Sequence, residues 1–325
     1  MIHMRIVAPA ARAEAVVRVL MESPAVLNVV HLHEAAEKPR GDLILCDVAR
    51  EEASIVIDDL RTLGIPRDGS IAVEAIDTVL SESAERAEQA ARGLPSDAVI
   101  WEEVEERTAE GAELSASFLA FMVLAMLIGA VGIILDSPIL IVGAMVVGPE
   151  FGPLAGLCVA VIQKRGDLAR RSFVALAVGF PLGIVVTFVV ALALKLSGLA
   201  PADLSSGDRP LTDFISQPGF FSFFVAFLAG MAGVLSLTSA KSGALIGVLI
   251  SVTTIPAAAN VGLAAAYWDW SESQGALLQL LLNLTSIVLA GLGTLAVQRQ
   301  LFEARRRRHQ GAPRTPLPAR STRWP

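Results

Sequence analysis

One carboxylate stands where a membrane-crossing segment should have none. Glu150 lies inside Ser137 to Gln163, SPILIVGAMVVGPEFGPLAGLCVAVIQ, with no other charge between Asp136 and Lys164. An ionised side chain in hydrocarbon costs several kcal/mol unless it is paired or protonated, so such residues mark proton, cation or polar-solute sites. Pro149 and Pro153 flank it. Each lacks the N–H that bonds four residues back, freeing carbonyls near Met145 and Pro149 that lipid cannot satisfy. The break must be buried in protein or lie beside water. Further along, Thr253, Thr254 and Asn260 stand near Pro256, and Asn283, Thr285 and Ser286 stand at the centre of another apolar run. A carboxylate, hydroxyls, amides and half-helix ends at similar depth can coordinate a cation or proton and bind a small polar solute. Asn and Thr also cross-link membrane helices with no substrate involved, and that reading stays open beside the first.

These residues need spans to carry them. Six nearly uncharged runs follow Ser115: Ser115 to Leu135, Ser137 to Gln163, Ser172 to Leu194, Phe214 to Ala240, Ser242 to Trp268 and Ser273 to Gln298. Each is long enough to cross a hydrocarbon core of about 30 Å. Basic residues cluster after the second run (Lys164, Arg165, Arg170, Arg171) and after the sixth (Arg299, Arg305 to Arg308). Those regions are therefore expected in the cytoplasm, with the N-terminus on the same side and Trp268 and Trp270 anchoring the opposite interface. The localisation expected is a multi-pass protein of the cell membrane with both termini cytoplasmic.

The runs divide into two sets of three. Ala144, Gly148, Gly152, Gly156 and Ala160 recur every fourth residue in the second run and let another backbone approach; Gly243, Gly247 and Ser251 recur likewise in the fifth, and Pro256 sits near its middle. Three spans per set put the second set in the membrane upside down. The expectation is a 3+3 inverted repeat with two broken helices in matching positions, a layout many secondary transporters use.

Composition divides the chain before any motif does. Hydrophobic residues make up 54% and the mean hydropathy is +0.60, yet most acidic groups lie in the first hundred or so residues. The net charge of −6 combines an acidic front with an arginine-rich tail, so no nucleic-acid reading follows. MIHMRIVAPA lacks the features of a signal peptide, and the N-terminus is expected to stay in the cytoplasm. Residues 1–76 alternate strand and helix patterns in the order βαββαβ, which predicts a small ferredoxin-like domain with both helices on one face of an antiparallel sheet. His31 and His33 share a face of its second strand, but no third ligand is spaced to join them, so no metal and no cofactor is expected. Cys46 and Cys158 read as buried small residues. Residues 77–114 read as a polar helical linker interrupted at Gly93 and Pro95, with Trp101 near the headgroups. Residues 299–325 read as a basic, Pro-rich disordered tail drawn to anionic lipid.

SPILIVGAMVVGPEFGPLAGLCVA resembles the broken-helix signature of domain-of-unknown-function family 389, hydrophobic integral membrane proteins of bacteria and archaea. SGALIGVLISVTTIPAAANVGL and the NLTSI stretch are similar to its second signature. The likeness runs from about Ser115 to Val297. Similar proteins often carry an apolar residue at the place of Glu150 and Pro-Pro where this chain has Ile255-Pro256. The resemblance implies membrane architecture and no particular activity.

No HExxH, GxSxG, P-loop or pair of membrane aspartates is present, so no enzyme is expected. The function expected is a secondary transporter or channel-like protein for a small polar solute or ion, with a cytoplasmic regulatory domain. The alternative is a non-transporting sensor or scaffold whose soluble domain binds a metabolite or protein. Partners are the bilayer, anionic lipid at the tail and a small ligand or ion, with self-association left open.

Overall fold

Strict alternation of large apolar side chains sets up the first sheet. The computed structural model describes residues 1–76, 78–91, 99–204, 209–239 and 253–310. They form two compact units, one of Met1–Glu102 with residues 238–239 and 300–310, the other of Glu103–Leu237 with residues 253–299.

In the first unit, β1 (Ile2–Ala8), β2 (Val26–Glu37), β3 (Arg40–Val48) and β4 (Ser70–Ala75) lie in the order β2-β3-β1-β4. Every neighbouring pair is antiparallel. Ile2, Met4 and Ile6 of β1 and Ile44, Cys46 and Val48 of β3 all point to one face, because side chains in a strand alternate. Against them pack Ala13, Val16 and Leu20 of α1 (Ala10–Glu22) and Ala53, Val56, Ile57 and Leu60 of α2 (Arg50–Thr62). The short α3 (Ile65–Asp68) adds Ile65 to this core. β2 is irregular between Leu32 and Ala36, where the backbone N–H of Glu34 turns inward and donates to Asp42 Oδ1 at 3.0 Å. That bond holds the Asp42 carboxyl below the usual carboxylate range, against the opposing effect of burial.

The stretch read as a linker holds α4 (Glu82–Ala90) and α5 (Trp101–Gly111); Gly93 and Pro95 fall outside the described residues. Trp101 does not lie among headgroups: it is buried, its ring edge-on to Phe302. Val104 and Thr108 are buried too, so this helix is not a solvated strut.

The second unit is helical. α6 (Ala116–Ile134), α7 (Pro138–Val147), α8 (Phe151–Gln163), α9 (Gly166–Leu196), α10 (Phe220–Thr238), α11 (Thr254–Ala266) and α12 (Trp270–Gln310) follow in order. Four of them, α6, α9, α10 and α12, are long and apolar enough to cross a membrane. The count becomes five if α7 and α8, bent by 49° at their break, form one span. α11 is apolar but shorter; the preceding residues 240–252, with Gly243, Gly247 and Ser251, fall outside the described residues. The fourth run begins later than Phe214, because Asp213–Ser216 is a separate 3-10 turn. The last run continues as helix to Gln310, so Arg305 to Arg308 are helical and not part of a disordered tail, while 311–325 fall outside the described residues. Met122, Met126, Ile133, Ile141, Ile255 and Leu263 form the main core of α6, α7 and α11. Leu154 of α8 packs with Ala226 and Ala229 of α10 and Ile287 of α12.

Candidate functional site

The small-residue ladder acts helix by helix, each rung admitting a different neighbour. Gly152 lies against the Gly111 backbone, where a Cβ would stand 2.8 Å from the Gly111 carbonyl oxygen. A Cβ on Gly156 would meet Ser172 Oγ at 2.6 Å, and one on Gly148 would run into Glu150 Oε2 and Ile255. These contacts press α7 and α8 against α5, α9 and α11 around the break.

The break itself comprises Gly148, Pro149 and Glu150. Pro153 does not contribute to it. It is the third residue of α8, where a missing N–H costs no helical hydrogen bond. Pro256 is likewise the third residue of α11 and opens that helix. The two helices are alike: each has 13 residues, with proline third. Their N-terminal ends meet. Thr254, the first residue of α11, donates from Oγ1 to Glu150 Oε1 at 2.6 Å, just before α8 begins. Glu150 is 5% exposed and Thr254 fully buried. The second carboxylate oxygen, Oε2, has no hydrogen-bond partner among the described residues.

A polar series continues from this pair. Asn283 of α12 donates from Nδ2 to Thr253 Oγ1 at 2.9 Å, and Gln279, one turn earlier, donates to Asn283 Oδ1 at 3.3 Å. Gln279 Oε1 is buried and unpartnered among the described residues. Asn260 belongs to a second cluster nearer the start of α12. Its Nδ2 donates to Glu272 Oε1 at 2.9 Å, and Arg209 donates to both Glu272 oxygens at 2.9 and 2.8 Å. Asp269 caps α12 by accepting the Glu272 N–H. In the loop that carries Arg209, the Leu211 N–H and the Thr212 hydroxyl donate to Asp136.

Of the residues singled out in the sequence, Glu150, Thr253, Thr254 and Asn283 are therefore brought together. Asn260 joins the neighbouring cluster. Ser286 is buried but spends its hydroxyl on the Leu282 carbonyl of its own helix, and Thr285 is exposed on the outside of α12. Gln279, Glu272 and Arg209 were not singled out. Gln279 had a signal, being four residues before Asn283 and so on the same helical face. Arg209 had none, since its loop reads as an ordinary polar connection.

All of these residues fall within 145–289, which matches the model of the family described as Domain of unknown function (DUF389). The stretch that holds the site is thus similar to DUF389. Over 194 residues it is also 27% identical to an uncharacterized protein of Methanocaldococcus jannaschii, a match covering 60% of this chain and 58% of that protein. The chain thus aligns with rather less than two thirds of that relative's length. No solved structure matches the chain. The DUF389 match and the apolar helices together describe a membrane protein, and neither comparison attaches a ligand to the DUF389 site.

Outside the DUF389 stretch, the hairpin of β2 and β3 sets His31 and His33 beside Asp42, a third neighbour that spacing along the chain does not reveal.

Proposed function

We propose that this protein moves a proton, small cation or small polar solute across the cell membrane through a site centred on Glu150. The observation that carries the reading is a buried carboxylate, half of it unpartnered, at the place where two 13-residue helices begin. The aligned peptide dipoles of those helices favour negative charge at their N-terminal ends, and a proton or cation that enters the site meets that charge on the open oxygen. Thr254 fixes one oxygen and leaves the other to face an incoming donor. Asn283, Gln279 and the Asn260–Glu272–Arg209 cluster supply further polar steps towards one end of α12.

The matched pair α8 and α11 supports a six-span, 3+3 inverted arrangement. The strand order of the first unit supports a ferredoxin-like module, read here as cytoplasmic and regulatory, with both termini on that side. No enzymatic step and no cofactor is assigned. The basic end of α12 is suited to anionic lipid, and self-association is compatible with the exposed apolar helix faces. A non-transporting sensor is the rival reading.

The test is flux in proteoliposomes across a panel of small solutes, with imposed pH and sodium gradients. Glu150→Gln keeps shape and removes the titrating group, so it should assemble normally and abolish the pH or cation dependence of uptake. Uptake that is indistinguishable between Glu150→Gln and the parent across the pH range refutes the assignment.

A further inference from the structure

We propose that the hairpin of β2 and β3 binds a divalent transition-metal ion through His31 Nε2, His33 Nδ1 and Asp42 Oδ2. Strand pairing makes the cluster. Leu32 pairs with Leu43 and Ala36 with Gly41, so the segment His33 to Ala35 of β2 faces Asp42 alone on β3. The extra residues bulge, and the backbone of Glu34 takes φ 50°. The bulge brings His33 to the carboxylate oxygen that His31, in regular register with Ile44, also reaches: His31 Nε2 lies 2.7 Å and His33 Nδ1 3.2 Å from Asp42 Oδ2, and the three donor atoms lie within 4.8 Å of one another.

Three features suit a metal better than a plain His–Asp hydrogen bond. First, the carboxylate is oriented in advance: the Asp42 side chain is 5% exposed, with Oδ1 occupied by the Glu34 N–H. An outer bond of that kind fixes how a ligating carboxylate points. Second, two of the three donor pairs are already near the required spacing. Bonds of about 2.0–2.2 Å to nitrogen and oxygen place neighbouring ligand atoms roughly 2.9–3.6 Å apart at tetrahedral to octahedral angles. The pair at 3.2 Å lies inside that range and the pair at 2.7 Å is a few tenths short. Third, a second imidazole on the same oxygen adds nothing that burial of Asp42 requires, while His33, with 77% of its side chain exposed, can turn freely to close the site. That exposed side is also the entry path and leaves a coordination position for water or a donor from another molecule.

Two imidazoles and one carboxylate are a borderline donor set. They fit Zn²⁺, Co²⁺ or Fe²⁺, in contrast to the all-oxygen sites of Ca²⁺ and Mg²⁺ or the thiolates that select Cu⁺. The ion would clip β2 to β3 across the bulge. It lies in the first unit, outside the DUF389 stretch, so it stands or falls independently of the role of Glu150.

The experiment uses untagged full-length protein in detergent, stripped with chelator and titrated with Co²⁺. A single equivalent should bind with visible d–d bands, and added Zn²⁺ should bleach them. His31→Ala and His33→Ala should each weaken binding by about tenfold or more, whereas His3→Ala, whose ring engages Asp47 at 2.7 Å, should bind like the parent. Because His33 is exposed, His33→Ala reports on coordination and not on folding. The proposal is overturned if the parent shows no saturable band, or if His33→Ala with unchanged circular dichroism titrates as the parent does.

Discussion

Removing the Arg209 guanidinium should be among the most damaging single changes in the helical unit. Its side chain is 6% exposed and that of Glu272 9%, and one guanidinium nitrogen donates to both carboxylate oxygens within 2.9 Å. Arg209→Met would leave the Glu272 carboxylate buried with the Asn260 amide as the remaining partner from this cluster. Breaking a buried pair on one side costs about 3–5 kcal/mol, chiefly the uncompensated charge that remains. That corresponds to a loss of roughly a hundred- to several-thousand-fold in the folding equilibrium. Changing both partners removes the orphan charge: in Arg209→Met with Glu272→Gln, the new amide oxygen can still accept from Asn260, and most of the loss should return. The assay is unfolding in mixed detergent micelles by titration with dodecyl sulfate, followed by loss of helical circular dichroism. If the double variant is as unstable as Arg209→Met alone, the pair does not carry the stability assigned to it.

The same titration should separate two glycines of the broken segment. Gly152→Ala places a Cβ against the Gly111 backbone and should cost roughly 1–3 kcal/mol, whereas Gly143→Ala, with nothing within 4 Å, should be close to neutral. In the flux assay, Asn283→Ala removes a neutral donor to Thr253 and should slow transport by about threefold to tenfold, while Thr285→Val, on the exposed face, should not; equal effects would dissociate the polar series from transport. Burial, helped by the neighbouring Asp47 charge, pushes the Cys46 thiol up to about 12, and its side chain is fully buried. Alkylation at pH 8 should therefore be negligible in the native protein and rapid once it unfolds, and fast native labelling would show that the sheet core opens.

Where local pattern decides structure, the chain could be read directly. Period-two alternation from Ile2 and Asp42 onwards marks real strands, and the apolar run to Ile134 marks a real helix. Proline was harder. Its effect depends on position within a helix, and no spacing rule distinguishes Pro149 in the break from Pro153 and Pro256 in first turns. The polar clusters split the same way. Gln279 and Asn283 share a helical face and could have been paired from periodicity, but Arg209 with Glu272, and Asp42 with the two histidines, are tertiary meetings. The latter depends on a bulge that displaces one strand against another, which residue identities alone do not announce. Burial of Val104 and Thr108 was obscured by the glutamates around them, which occupy the other face of the same helix.

α12 also serves as a depth gauge. Its 41 residues make a rod of about 60 Å, twice a hydrocarbon core of about 30 Å. At the helical rise, Asn283 stands about 16 Å from the level of Glu272 and about 24 Å from that of Arg299. If the membrane potential falls between those two charged residues, an ion travelling from the Glu272 end to the Thr253–Asn283 contact crosses about two fifths of it. With about 2.3 kcal/mol per unit charge per 100 mV across the full width, that fraction is worth about 0.9 kcal/mol. Occupancy beside Glu150 would then change about fivefold for each 100 mV, making the affinity of the site a function of voltage as well as of concentration.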